Sequence, residues 1–417
     1  MFATGALLLL LALIGAPLFA VIAAGAMLGF AREEIDLSVL AIEFFGIAET
    51  PVLVAIPLFT FAGFLLSEGQ APKRLVRLSQ ALLGWLPGGL AMVSLAACAL
   101  FTAFTGASGV TIVALGALLF PALVEAGYDR RFSLGLITTS GSLGLLFAPS
   151  LPLILYGVVA EVPVDDLFLA GLLPGLLMVA LLCVYSYFRN RRAIATRRAS
   201  IVELAGAIRE AKWELPLPIV VLGGIYSGYF AVSEAAAVTA LYVMTVELAI
   251  LREIPLRELP RIVRESMVLV GAILMILGMS LASTNYLIDT GVPQRLFELS
   301  SEYVGGPKTF LLVLLLFLLV LGAILDIFSA IVLVVPLIVP VALEYGVHPA
   351  HLGIVFLGAM ELGYLTPPVG LNLFIASHRF DRDILEIYLA TVPFLLVLLA
   401  SVVIITYWPA LSLALLG

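Results

Sequence analysis

Apolar runs long enough to cross a lipid bilayer follow one another along almost the whole chain, at about 3–30, 51–68, 131–160, 166–188, 215–231, 236–252, 267–288, 350–378 and 385–416. About 20 apolar residues span a hydrocarbon core as a helix, and every backbone N–H and C=O inside it needs an internal partner. Continuous helices meet that demand, whereas the ten-residue alternations of a membrane barrel are missing from this pattern. The composition agrees: 63% of the 417 residues are hydrophobic and only 12% charged, where a soluble domain carries about 25% charged residues. The expected fold is therefore an all-α polytopic membrane protein. Cys98 and Cys183 each sit in an apolar stretch, so neither a disulfide framework nor a cysteine metal cluster is expected. The net charge of -7 comes with no basic stripe, and no nucleic-acid partner is implied. The first run lacks a basic leader and continues to Phe30, which reads as a first membrane helix rather than a cleaved signal.

Two further apolar regions, about 88–126 and 307–346, are too long for one crossing and contain internal breaks. Short basic amphipathic pieces at 71–84 and 254–266 have the pattern of helices lying at the membrane surface. Orientation follows from Lys and Arg. The loop at 189–212 holds seven of them and is placed in the cytoplasm. If each broken region enters and leaves on one side, only Arg32, Arg295 and Lys308 of the 21 basic residues fall outside. That arrangement has about nine full spans plus two re-entrant hairpins.

Sliding the chain against itself by 219 positions aligns the two broken regions and the spans after them without a gap. Pro121 meets Pro340, Glu125 meets Glu344, Gly127 meets Gly346, Gly144 meets Gly363 and Pro149 meets Pro368. A shift of 221 extends the match upstream, pairing Pro72, Arg74, Leu75, Leu78 and Ser79 with Pro293, Arg295, Leu296, Leu299 and Ser300. An odd number of spans separates equivalent points, so the halves are expected to be inverted. Inverted repeats with paired Gly/Pro interruptions mark secondary transporters, with the binding site between the repeats. A duplication kept only for folding is the competing reading.

Chemistry concentrates at the interruptions. In the first repeat FTGASGVT (104–111) precedes TTSGSLGLLFAPSLP (138–152). Broken helices at membrane depth expose carbonyls and amides that are tolerated only where they line a cavity. Carbonyls near Gly106 and Gly144, with the hydroxyls of Thr105, Ser108 and Ser142, suit Na+. Amides at a half-helix N-terminus suit an anion, with Thr111 and Ser150 close by. Tight helix packing by small residues is the alternative for any one of them. The second repeat supplies GAILDIFSA (322–330) and GAMELGYLTPPVGLN (358–372). Thr366, Pro367 and Pro368 must break the helix. Gly363, Thr366, Pro367 and Asp326 are its sodium candidates, and Glu361 and Asn372 its substrate candidates. Acids in apolar surroundings are costly and tend to be functional, although Asp326 and Glu361 could instead be structural. VSEAAAVTALY (232–242) begins a helix with Ser233 as expected N-cap.

GASG (106–109) matches the GxSG of rhomboid intramembrane proteases. Such a serine needs a histidine base, and His348, His351 and His378 all lie near span ends late in the chain. No HExxH, CxxC or phosphate loop ending GK[ST] occurs, so neither zinc chemistry nor ATP hydrolysis is supported. No catalytic residue and no cofactor is expected.

Four stretches together resemble the large membrane subunit of a TRAP transporter (tripartite ATP-independent periplasmic transporter), the DctM-like family. They are AIPLFTFAGFLL (55–66); FTGASGVTIVALG (104–116) with GSLGLLFAPSLPLILYG (141–157); AVSEAAAVTALY (231–242); and LDIFSAIVLVVPLIVP (325–340) with LGYLTPPVGLNLF (362–374). The resemblance covers nearly the whole chain. It implies a sodium-coupled importer of small organic anions such as C4-dicarboxylates, sialic acids or 2-oxo acids, in the bacterial inner membrane. Implied partners are a small four-helix membrane subunit and a periplasmic substrate-binding protein. The implied fold is an elevator with two hairpins and two broken helices in a moving domain. On that plan 1–84 holds scaffold helices and the first arm helix, and 85–160 the first hairpin and broken helix. Residues 161–304 hold further scaffold, the basic loop and the second arm, with 71–84 and 254–266 as the arms. Residues 305–378 hold the second hairpin and broken helix, and 379–417 the C-terminal helix. Ala107 stands where the family often has serine. A related stand-alone sodium-coupled anion carrier would share this architecture without needing a binding protein.

Overall fold

The computed structural model describes residues 7–416 except 9, 13, 87 and 191–199. The start of the first apolar run and the most basic part of the 189–212 loop lie outside the described residues. Every regular element among the described residues is helical. In order they are α1 (Leu18–Arg32), α2 (Ser38–Gly46), α3 (Ala55–Glu68), α4 (Ala71–Leu83), α5 (Gly89–Thr105), α6 (Ser108–Ala114), α7 (Gly116–Glu125), α8 (Arg130–Ser140) and α9 (Leu151–Val159). There follow α10 (Val164–Asn190), α11 (Ile201–Glu210), α12 (Pro216–Tyr226), α13 (Val232–Met244), α14 (Leu259–Asp289), α15 (Val292–Ser301), α16 (Pro307–Gly322), α17 (Ile327–Glu344), α18 (Pro349–Gly363), α19 (Leu371–Phe380), α20 (Ile384–Tyr407) and α21 (Ala410–Leu413).

Among the described residues six helical segments are long and apolar enough to cross a bilayer, or eight when two bent pairs count as one span each. The sequence predicts nine full spans. The counts differ in two ways: α1, α12 and α18 are each shorter than a full crossing, while α17 and the bent α6–α7 pair, read from the sequence as hairpin arms, are long enough to cross.

The repeat is visible in the helix boundaries. Adding 219 to the ends of the α6–α7 segment, 108 and 125, gives 327 and 344, the ends of α17. By the same offset α5 corresponds to α16, α8 to α18 and α9 to α19. Even the N-caps correspond: Asp129 accepts a hydrogen bond from the Phe132 N–H, and its equivalent His348 accepts one from the Ala350 N–H. The peptide bonds before Pro149 and Pro368, also an equivalent pair, are both cis. A lost N-cap costs about 1 kcal/mol, so Asp129→Ala is expected to lower the thermal midpoint of the purified protein by a few degrees and leave its helix content intact.

Two details depart from the sequence reading. No separate surface helix occupies 254–266; a single turn at Leu256–Glu258 leads into α14, which runs 31 residues without a break. Pro260 lies in the first turn of α14, where its missing N–H is harmless, and no helix breaker separates Arg264 from the span. The short helix equivalent to α4 under the offset of 221 is instead α15, whose Pro293 matches Pro72. Likewise α13 starts one residue before Ser233; its N-cap is Ala231, whose N–H donates to the Glu234 carboxylate at 2.9 Å.

Packing divides the helices into two groups. α1, α3, α13 and α14 lie against one another, while α5, α8, α10, α16, α18 and α20 form the other set. The sets also meet directly, α3 against α5 and α14 against α17, where the Ser280 hydroxyl donates to the Val332 carbonyl at 2.7 Å; α4 packs along α5 with Leu75, Val76 and Leu78 buried.

Candidate functional site

α5 ends at Thr105, and the chain reverses through Gly106 (φ 63°) and the extended Ala107 before α6 begins. Only glycine fits this turn. Its φ is left-handed, and a Cβ there would stand 2.5 Å from the Leu151 side chain at the head of α9. The tip of the first hairpin is thereby seated on the break between α8 and α9, which bends the chain by 44°.

Around this seat the hydroxyls gather. The Thr102 hydroxyl donates to the Gly141 carbonyl at 2.9 Å and pairs with the Thr111 hydroxyl at 2.7 Å. Ser108 is nearly buried, and its carbonyl faces Gly141. The Ser142 hydroxyl leans toward the Thr139 carbonyl at 3.4 Å. The hydroxyls of Thr105, Thr139 and Ser150 are fully buried and lack a hydrogen-bond partner among the described residues. A buried polar atom left unpaired costs about 1–3 kcal/mol, so these three have lone pairs free for a further partner. Gly144 closes the cluster from below: a Cβ on it would fall 2.3 Å from the Ala99 carbonyl oxygen and 2.4 Å from the Ala103 nitrogen.

The second repeat uses the same scaffold with different groups. Gly363 lies against Gly322, where a Cβ would come within 2.3 Å of the Gly322 carbonyl carbon. The Val369 N–H donates to the Ala323 carbonyl at 3.0 Å, and the Ile327 N–H to the Tyr364 hydroxyl at 3.1 Å. Asp326 caps α17, accepting from the N–H groups of Phe328 at 3.0 Å and Ser329 at 3.1 Å and from the Ser329 hydroxyl. Those amides are therefore already taken, and only the spare lone pairs of Asp326 remain for a cation. Thr366 donates to the Leu362 carbonyl at 2.8 Å, while Pro367 and Pro368 are exposed. Glu361 is fully buried with neither carboxyl oxygen paired.

Asn372 joins the two clusters. Its backbone N–H donates to the Tyr364 carbonyl at 3.1 Å, its side-chain amide to the Thr138 carbonyl at 3.4 Å, and its amide oxygen is unpaired. The structure thus collects Thr105, Gly106, Ser108, Thr111, Ser142, Gly144 and Ser150 around the first hairpin tip. Asp326, Gly363, Thr366 and Pro367 gather at the second. Thr102, Thr138, Thr139 and Tyr364 belong to these clusters but were not among the sequence candidates. Thr138 and Thr139 stand in the quoted TTSGS run, whereas nothing local distinguishes Thr102.

One helical turn separates the first cluster from open space. Ser108, Thr111 and Ile112 of α6 face inward, and Gly109 and Val113 face a cavity of about 520 Å3 closed by Phe64, Glu68, Glu265 and Ile375. At its edge Arg261 bonds Glu68 at 2.6 Å, Glu258 at 3.0 Å and Glu265 at 3.1 Å. The cavity lies between the two helix groups, with α3 and α14 on one wall and α6 and α19 on the other. No cluster of three or more His, Cys, Asp or Glu fit to hold a metal occurs among the described residues.

Comparison with known proteins gives a consistent picture. Residues 2–411 match the family model described as tripartite ATP-independent periplasmic transporter, DctM component. The C4-dicarboxylate TRAP transporter large permease protein DctM of Pseudomonas aeruginosa is 37% identical over 378 residues, which is 90% of this chain and 88% of that protein. The protein of the same description from Rhodobacter capsulatus is 35% identical over 402 residues, 93% of this chain and 91% of that one. The crystal structure of the Alcanivorax borkumensis YdaH transporter, described as having an unusual topology, superposes with a TM-score of 0.61 at 14% identity. The match covers 89% of this chain and 87% of that one, a likeness of fold.

Proposed function

Because the chain belongs to the DctM component family of tripartite ATP-independent periplasmic transporters, we propose that it carries a C4-dicarboxylate or similar small carboxylate inward, coupled to sodium. It is a multi-pass inner-membrane permease subunit and not an enzyme. The two other components of the system, on this reading, are a small four-helix membrane subunit and a periplasmic binding protein that delivers the substrate.

The observation that carries the proposal is the trio of unpaired buried hydroxyls, Thr105, Thr139 and Ser150, around the first hairpin tip. Na+ bound there accepts oxygen lone pairs from these hydroxyls and from the carbonyls that end α5 and α8. The Gly106 turn and the Gly144 contact hold those carbonyls in place without a side chain between them. In the second repeat the break after Gly363 and the Thr366 and Asp326 oxygens play the matching part. The carboxylate substrate lies between the hairpin tips, near Ser108, Ser150 and Asn372, where the amides that open α9 supply positive potential. Movement of the second helix group along the first, across the cavity between α6 and α3, then transfers the load. Coupling requires that the group move poorly with sodium alone, a difference in affinity between states.

Reconstitution with the two partner components and a labelled C4-dicarboxylate tests the proposal. Uptake is expected to require an inward sodium gradient, and uptake indifferent to sodium would overturn the coupling. Thr105→Val keeps the shape and removes the oxygen; it is expected to raise the sodium concentration for half-maximal uptake about tenfold, the equivalent of ~1.4 kcal/mol, at normal expression. Ser108→Ala and Thr366→Ala are expected to act in the same direction. Unchanged sodium dependence would remove the residue concerned from the site.

A further inference from the structure

At the start of α4, outside both hairpin segments, Arg74 stands among three carboxyl groups that transport chemistry does not use. It donates to Glu214 at 2.6 Å and to Glu253, and lies 3.7 Å from Glu247. The Gln70 N–H donates to Glu253 at 2.6 Å. Glu247 is wholly buried, and neither of its carboxyl oxygens has a partner. It projects from a π-helical turn, Thr245–Ile250, a local widening common at functional positions. Gly69 leaves it room, since a Cβ there would fall 2.5 Å from Glu247 Oε2. The charged groups facing Glu247 are Arg74, Glu214 and Glu253.

One guanidinium cannot neutralise three carboxylates. Despite its burial, Glu253 is held below the ordinary carboxylate value by Arg74 and the Gln70 N–H. Burial pushes Glu214 up against the pull of Arg74. Glu247 receives no donor at all, and an ionised carboxylate with no donor in a site closed to water is far less stable than the neutral acid.

We propose that this cluster is a proton-binding site, in which Glu247 keeps one proton at neutral pH, so that the single guanidinium of Arg74 can fasten α4 to the scaffold. The proton arrives from water through Glu253, the most exposed carboxyl of the three at 17%. Glu214 follows the 189–212 basic loop by two residues, which places the site on the face where that loop emerges. The site ties α4, which packs along α5, to the proton concentration on that face.

The folded chain then binds a proton that the unfolded chain has released at pH values above the ordinary carboxylate range. Stability is expected to fall as pH rises. The test is thermal melting of the purified full chain at fixed salt from about pH 6 to about pH 9, a range set by the 3–5 unit shifts that burial can produce. The wild-type midpoint is expected to fall across the range, and Glu247→Gln to flatten the curve. Glu253→Gln frees the guanidinium for Glu247 and is expected to move the fall to lower pH; it decides the matter if Glu247→Gln does not fold. Equal slopes in all three proteins would overturn the proposal. So would a wild-type midpoint at high pH restored by sodium or potassium chloride but not by choline chloride, because a metal cation would then occupy the cluster.

Discussion

Gly144→Ala and Gly363→Ala are each expected to abolish uptake and to lower the thermal midpoint by many degrees, although each adds a single methyl group. At Gly144 that methyl would lie 2.3 Å from a carbonyl oxygen and 2.4 Å from an amide nitrogen of α5; at Gly363 it would lie 2.3–2.5 Å from the backbone of Gly322. The obstacles are main-chain atoms, so no rotamer change relieves them. The hairpin arm and the broken helix must separate instead. Overpacking costs about 1–3 kcal/mol in cores where side chains can yield, and occasionally more; these sites fall at the upper end. Separation also opens the carbonyls assigned to sodium in the proposed site. Gly271→Ala in α14 is the control, because nothing lies within 4 Å of its new methyl. Alanine is expected to stabilise that helix, by up to about 1 kcal/mol. Near-wild-type uptake in Gly144→Ala and Gly363→Ala would show that the two repeats do not rely on close contact at the breaks.

Arg74→Met is the second substitution with a large expected effect. Removing one member of a buried ion cluster leaves the others uncompensated, typically at about 3–5 kcal/mol. Here three carboxyl groups lose the one cation that serves them, and α4 loses its tie to the loop before α12 and the end of α13. The expected loss is greatest at high pH and is partly recovered at low pH, where protonation removes the repulsion. Arg77 lies one turn further along α4 and pairs with Glu210, both about half exposed. Its replacement by alanine is expected to cost roughly 0–1 kcal/mol. Melting curves of the two variants at two pH values check both statements. A small, pH-independent loss in Arg74→Met would mean that the cluster is better solvated than the geometry implies.

The features legible in the sequence are those written as local pattern. Gly144, Pro149, Gly363 and Pro368 repeat at one spacing and are helix breakers, so the two broken helices and the paired hairpins could be placed to within a few residues. Thr105, Ser108 and Thr111 sit in one short Gly-rich run, so their nearness at the hairpin tip is legible from the sequence. Contacts between distant segments were not legible. Arg74 meets Glu214 across 140 residues and Glu253 across 179, and each of these residues by itself reads as an ordinary charge near a helix end. Thr102 looks like any small residue of an apolar helix until Gly141 is brought against it. The 254–266 piece was misread for a related reason. Basic amphipathic character shows that a segment reaches the membrane surface, but it does not reveal whether the helix stops there, and α14 continues.

The two repeats share a backbone plan yet carry different polar groups at matched places. Asp326 stands where the first repeat has Ala107, and Glu361 where it has Ser142. A carrier assembled from two identical, oppositely oriented halves would have no preferred resting side, because turning it over in the membrane would reproduce the same object. These two carboxyl groups remove that degeneracy. On the proposed carrier reading, a preferred resting side then follows from the chain itself, before any gradient is applied.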